Sequence, residues 1–127
     1  VLEQREEEAF ENLQDFNGVI NHHKYANNYD YNKSVYLVNK LPHFDNGFLL
    51  LREDETISSP VAVLHYQFYK SLSEGNEKLE RDQDQIQVVI SADKKIKHAL
   101  APGTAQKPEL WDYADRVDTL EFLLSLK

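Results

Sequence analysis

The chain has 127 residues, 41% hydrophobic and 28% charged, a length that fits one domain able to bury roughly two thirds of its unfolded surface. Its 22 acidic residues outnumber 14 basic ones for a net charge of −8, and the bases are scattered, which argues against nucleic-acid binding by counterion release. Cysteine and methionine are both absent, so the chain has no disulfide framework and no thiolate nucleophile, and no apolar run approaches the roughly 20 residues of a membrane span. No signal-peptide pattern is present, and the cytoplasm is the expected compartment. The opening Val1-Leu2-Glu3-Gln4 has no initiator methionine, which leads us to expect a piece of a longer protein.

Glu3 to Phe16 reads as an acidic amphipathic helix, with Ala9, Phe10, Leu13 and Phe16 on one face, Glu6-Glu7-Glu8 on a solvated one, and Asn17-Gly18 as its end. After the apolar step Val19-Ile20, Asn21 is placed to cap a helix that starts at His22-His23 and stacks Tyr25 on Tyr29. Ser34 to Asn39 (SVYLVN) is β-branched and aromatic and predicts a strand. Asp45-Asn46-Gly47 is a turn signal, and Phe48 to Leu51 is the expected return, so residues 34 to 52 read as a hairpin with a long connection through Leu41-Pro42-His43-Phe44. Ser58-Ser59-Pro60 breaks the chain before Val61 to Phe68, whose apolar run predicts a strand buried on both faces.

Ser71 to Asp82 predicts a polar helix and Ile86 to Ile90 a second buried strand. Strand, helix, strand is a crossover unit, so those two strands are expected to pair in parallel. Lys95 to Leu110 is punctuated by Pro and Gly and reads as loop. Trp111, Asp112, Tyr113 and Asp115 lead into Asp118-Thr119-Leu120-Glu121, which has the form of a capping box opening a helix through Leu126, with Phe122, Leu123 and Leu126 as its buried face. The expected class is α/β, a mixed sheet with flanking helices in a single domain, 1–127.

Three places carry candidate chemistry. His22 and His23 point about 100° apart on a helix and cannot share a metal without distortion, so no metal site is assigned; they read as surface or satisfied histidines, or one of the two as a proton donor or substrate contact. The cluster Asn27, Asn28, Tyr29, Asp30 and Tyr31 can orient a polar ligand through amides and phenols, or it is a hydrogen-bonded helix packing its rings on the sheet. Glu53-Asp54-Glu55 precedes the Ser58-Ser59-Pro60 turn. Glu55 is the acid best placed to hold a ribose hydroxyl or act as a base, although acids at a strand end are commonly just solvated. The serines suit a ligand-facing loop of an α/β sheet; no Gly-x-Ser-x-Gly frame marks them as nucleophiles.

Four blocks in order, NHHKYANNYDYNKSVYLVNK, DNGFLLLREDETISSPVAVLHYQFY, IQVVIS and GTAQKPELWDYADRVDTLEFLLSL, cover nearly everything from Asn21 onward. Together they resemble the C-terminal third of acyl-CoA reductases of the fatty-acid-reductase type, within the aldehyde dehydrogenase superfamily. The resemblance implies a chain forming part of an aldehyde-dehydrogenase-like catalytic domain. It further implies reduction of a fatty acyl-CoA to an aldehyde by NADP or NAD cofactor chemistry through a cysteine thioester, with the cysteine and most of the cofactor site in residues that precede these.

Glu55-Thr56-Ile57-Ser58-Ser59-Pro60-Val61 is similar to the Glu-Glu-Ile-Phe-Gly-Pro-Val signature of aldehyde dehydrogenases, whose second glutamate contacts the nicotinamide ribose. Here Thr56 stands at that acid and Ser58-Ser59 replaces Phe-Gly. Further along, Arg116 replaces an expected glycine and Pro102 an expected phenylalanine. The resemblance implies cofactor contacts at Glu55, Ser58 and Ser59, substrate contacts at His22, Asn27, Asn28 and Tyr29, and no catalytic residue in the chain. The implied partners are acyl-CoA and the rest of the same polypeptide, with self-association expected of a piece whose apolar surface is uncovered. A second reading from the residues alone is a stand-alone interaction module with a tyrosine-rich binding face.

Overall fold

The structure is a computed structural model that describes residues 12–110, 112–113 and 117–126. It is mixed α/β, with two small sheets and short helices, and it divides into two compact units between Phe68 and Tyr69. The expected helix over Glu3–Phe16 lies outside the described residues as far as residue 11. From Gln14 to Asn21 the chain forms a 3-10 helix that runs through Gly18 instead of stopping at Asn17-Gly18.

In the first unit the main helix, α1, spans His23–Val38. It is preceded by His22, whose extended backbone starts the helix with no side-chain cap, so Asn21 does not cap it. The segment SVYLVN is therefore helical through Val38 and not a strand. The reason is tertiary: Tyr25, Tyr29, Asn32 and Tyr36 recur at helical spacing on one face, and Tyr29, Asn32 and Tyr36 are buried. Carrying Tyr36 to the core outweighs the local strand preference of Val35, Tyr36 and Val38.

Strand β1 (Phe44–Asp45) pairs antiparallel with β2 (Leu50–Glu53), Phe44 opposite Leu51 and Asp45 opposite Leu50. The hairpin is thus tighter than residues 34–52, with Asn46–Leu49 as its loop. Asp45 Oδ1 accepts from Gly47 N at 2.8 Å, and Asn46 Oδ1 accepts from Leu49 N at 2.8 Å. Gly47 has φ 93°, the left-handed conformation that its lack of a Cβ permits.

Strand β3 (Val63–Tyr66) lies parallel to β2, with Leu50 opposite Val63. The expected pairing of residues 61–68 with 86–90 does not form: β3 pairs in parallel with the strand before it instead. β3 is also buried on one face only, since Leu64 is 49% exposed. The core joins Tyr29, Tyr36, Leu50, Ala62 and Val63, with Ile20, Tyr25, Val35 and Leu41 packed around them. Leu50 is wholly enclosed.

The second unit begins with α2 (Leu72–Arg81), the expected polar helix, capped by Ser71: its Oγ accepts from Glu74 N at 3.2 Å, and Glu74 Oε2 accepts from Lys70 N at 2.8 Å. A short 3-10 turn (Gln83–Gln85) leads to β4 (Val89–Ile90), which pairs in parallel with β5 (Ala99–Leu100). β4 is shorter than Ile86–Ile90, and Ile90 is half exposed rather than buried. Asn76 ties the turn between these strands to α2, donating to Lys95 O and accepting from Lys97 N, each at 3.1 Å. Helix α3 (Thr119–Ser125) starts at Asp118, whose Oδ1 accepts from Leu120 N and Glu121 N, both at 3.0 Å. Its apolar side is not buried: Phe122, Leu123 and Leu126 are all more than half exposed. Trp111, Asp115 and Arg116 lie outside the described residues.

Candidate functional site

The tyrosine and asparagine cluster of α1 separates by face. Its inner side fastens the helix to the hairpin. Tyr25 Oη donates to Phe48 O at 2.9 Å, Tyr29 Oη to Asp45 Oδ1 at 2.6 Å, and Asn32 Nδ2 to Val61 O at 3.0 Å. Lys33 Nζ completes the group, 2.6 Å from Asp45 Oδ2 and 3.3 Å from Tyr29 Oη. One turn on, the Tyr36 ring lies 5.4 Å from the His43 ring and 5.1 Å from the Arg52 guanidinium.

These contacts set the ionisation of the cluster. Burial raises the Tyr29 pKa, and the Asp45 carboxylate reinforces the shift. Burial opposes charge on Asp45, but hydrogen bonds from Lys33, Tyr29 and Gly47 outweigh it and lower its pKa. The Asp45 hydrogen bond raises the Lys33 pKa. All three shifts favour a charged pair bridged by a neutral phenol.

Of the expected substrate contacts, Tyr29 therefore has its hydroxyl committed within the fold. His22 and Asn27 are exposed, and Asn28 is exposed with its Nδ2 donating to Lys24 O at 2.7 Å. Only Tyr29 of the four belongs to the inner face. The tyrosine-rich face of the second reading is turned largely inward, leaving Tyr31, 68% exposed, as the ring on the outer side of α1.

The second candidate is the connection from β2 to β3, residues 54–62. It leaves the carboxyl end of β2, and Asp54 N donates to Tyr66 O at the carboxyl end of β3. Asp54 Oδ1 accepts from Thr56 N at 3.0 Å and from Thr56 Oγ1 at 2.7 Å, while Oδ2 meets Arg52 at 3.0 Å. Because the Thr56 hydroxyl hydrogen is given to Asp54, Oγ1 is left to accept. His65 Nδ1 lies 3.1 Å from Thr56 Oγ1 and 3.0 Å from Thr56 O, a carbonyl that can only accept, so Nδ1 carries the hydrogen. Gln67 Nε2 adds a bond to Asp54 O at 2.9 Å. Backbone and hydroxyl bonds from Thr56 lower the Asp54 pKa.

Glu55, Ser58 and Ser59 are exposed on this connection and engage no partner among the described residues. A carboxylate and two hydroxyls suit a ribose diol, which both donates and accepts hydrogen bonds. The sequence carries no glycine-rich phosphate cradle, so these residues fit the ribose end of a nicotinamide cofactor and not its pyrophosphate. No hydrogen bond joins this loop to His22, Asn27, Asn28 or Tyr29 among the described residues. The partnership of Thr56 and His65 was not foreseen from sequence. Asp54-Glu55-Thr56 is a local signal, since an Asp commonly accepts from the backbone two residues on, but His65 is brought in only by the register of β3.

In the second unit a cleft between α2 and the following strands, bordered by Leu79, Ile86, Val89, Lys97 and His98, has about 20 Å³ of free space, room for a single water. No group of three or more His, Cys, Asp or Glu that could hold a metal occurs among the described residues, and none of their helices is long and apolar enough to cross a membrane. No protein-family model matches the chain, and neither a curated protein nor a solved structure matches it.

Proposed function

We propose that this chain is the C-terminal portion of a cytoplasmic NAD(P)H-dependent acyl-CoA reductase with an aldehyde-dehydrogenase-like catalytic domain. The observation that carries the reading is the exposed, unengaged side chains of Glu55, Ser58 and Ser59, on a loop leaving the carboxyl end of a parallel strand pair where ligands of α/β sheets bind. The same segment resembles the cofactor-contacting signature of that superfamily. The reading has one requirement and one further support. The chain contains no cysteine, so thioester chemistry draws its thiolate from other residues. In addition, no described residue after Val63 is buried, and Leu120, Phe122, Leu123 and Leu124 of α3 are each more than half exposed, as expected of a piece covered by the rest of a larger domain.

In this reading a cysteine thiolate outside these residues attacks the acyl-CoA carbonyl and expels CoA as its thiolate, which takes a proton from water. Bound NAD(P)H would supply the hydride that takes the acyl thioester to aldehyde, with return of the thiolate. The residues described here bind and orient: Glu55, Ser58 and Ser59 hold the ribose hydroxyls, and His22, Asn27 and the open Oδ1 of Asn28 face the acyl-CoA. Tyr29 acts indirectly, holding α1 on the hairpin.

An assay of NAD(P)H oxidation with a fatty acyl-CoA tests this. These 127 residues alone are expected to give no turnover, and the polypeptide that joins them to a preceding cysteine-bearing region is expected to give aldehyde and free CoA. Turnover by the 127 residues alone, or none by the joined polypeptide, contradicts the reading.

A further inference from the structure

Glu55 sits between two residues whose side chains are held. Asp54 is engaged by Thr56 N, Thr56 Oγ1 and Arg52, and its backbone by Tyr66 O and Gln67 Nε2. Thr56 is engaged on the other side by His65 Nδ1, through both its hydroxyl and its carbonyl oxygen. Thr56 is thus held against His65 of β3 and the Asp54 carboxylate against Thr56 and Arg52 of β2, while Glu55 between them is exposed. Farther along, the return of the chain is fixed at Val61, whose carbonyl accepts from Asn32 of α1, and at Ala62, which holds a left-handed φ of 64° while its carbonyl accepts from Leu50 N at 2.9 Å. Ser58 and Ser59 lie between the two fixed ends.

Thr56 occupies the position where the resembled signature has its ribose-binding acid, yet its hydroxyl hydrogen is given to Asp54 and its oxygen accepts from His65. It has no free donor for a ligand hydroxyl, and one of its two lone pairs is already taken. We infer that Asp54, Thr56 and His65 form a clasp that sets the conformation of residues 55–59, and that Thr56 is a positioning residue for the ribose contacts at Glu55, Ser58 and Ser59 instead of a ribose contact itself. This rests on the cofactor reading above. The clasp itself stands on geometry alone.

Two measurements separate the clasp from the cofactor reading. On the 127-residue chain, amide hydrogen exchange at Thr56 reports its bond to Asp54. Asp54→Ala is expected to speed exchange there by about tenfold, the equivalent of one or two ordinary hydrogen bonds, while exchange in α2 is unchanged. Nitrogen-detected NMR of His65 is expected to show Nδ1 protonated in the wild type and in Thr56→Ser.

On the joined polypeptide, NADPH binding followed by nucleotide fluorescence is expected to weaken by about five- to tenfold in Thr56→Val, consistent with loss of the two loop-ordering hydrogen bonds of its hydroxyl, to Asp54 and from His65. Thr56→Ser, which keeps the hydroxyl, is expected to bind as the wild type does, and any turnover is expected to change in KM for NADPH and not in kcat. Unchanged exchange in Asp54→Ala overturns the clasp. Wild-type nucleotide affinity in Thr56→Val, or a loss in Thr56→Ser equal to that in Thr56→Val, overturns the positioning role. A joined polypeptide that binds no nucleotide overturns the cofactor reading and the positioning role with it, and leaves the exchange result to judge the clasp.

Discussion

At the scale of single residues, the group Tyr29, Lys33 and Asp45 holds the helix to the hairpin, and its ionisation gives a pH window. Asp45 has a lowered pKa in the fold, so its contribution is complete above the unfolded value of about 4 and is lost as pH falls through the folded one. Lys33 and Tyr29 have raised values; their contributions are complete below unfolded values of about 10 and are lost as pH rises through the folded ones. The difference in melting temperature between wild type and Asp45→Asn should therefore be largest between about pH 5 and 9 and shrink toward pH 3. A difference that stays constant down to pH 3 contradicts the assignment. Tyr29→Phe removes the 2.6 Å bond to Asp45 and should cost about 1 kcal/mol in urea unfolding. Leu50→Ala, at the one wholly enclosed side chain named in the core, should cost about 2–5 kcal/mol in the same measurement.

At the scale of elements, the sequence was informative wherever a local side chain makes the structure. Asp118 sits as a cap where its spacing to Glu121 places it, and Asp45-Asn46-Gly47 forms its turn. Asp118→Ala should leave the Leu120 and Glu121 amides unsatisfied and destabilise α3 by about 1 kcal/mol, read as faster amide exchange at those two residues and not in α2. The end of α1 was not legible. Its inner face is Tyr, Asn and Tyr instead of a stripe of aliphatics, so no apolar period announces it, and SVYLV has the composition of a strand. Helix formation there depends on Leu50, Ala62 and Val63, residues distant in the chain that accept Tyr36 into the core. The strand pairing failed for a related reason. The crossover rule expects a helix between parallel strands, whereas β2 and β3 are joined by nine residues, 54–62, folded back through the Asp54 and Thr56 turn and the left-handed Ala62. Glu55, Ser58 and Ser59 could be picked out as exposed polar residues on a loop, but the histidine that clasps that loop comes from a strand register that no local signal fixes.

At the scale of the whole molecule, the two units differ in how far they enclose a core. All buried side chains among the described residues fall at or before Val63, while the second unit leaves Val88, Ile90, Leu100 and the leucines of α3 accessible. Hydrophobic dye binding and concentration-dependent association are expected of these 127 residues in isolation, and under the proposed function both should fall in a polypeptide that joins them to a cysteine-bearing region. The central claim is that the acyl group is carried on a cysteine that this chain lacks. Incubation with a radiolabelled fatty acyl-CoA, without reductant, followed by peptide mapping, tests it most directly. The joined polypeptide should take up one hydroxylamine-labile acyl group at a cysteine outside these residues, and the 127-residue chain none. Stable label within these residues, or a joined polypeptide that takes up no label, would contradict the account.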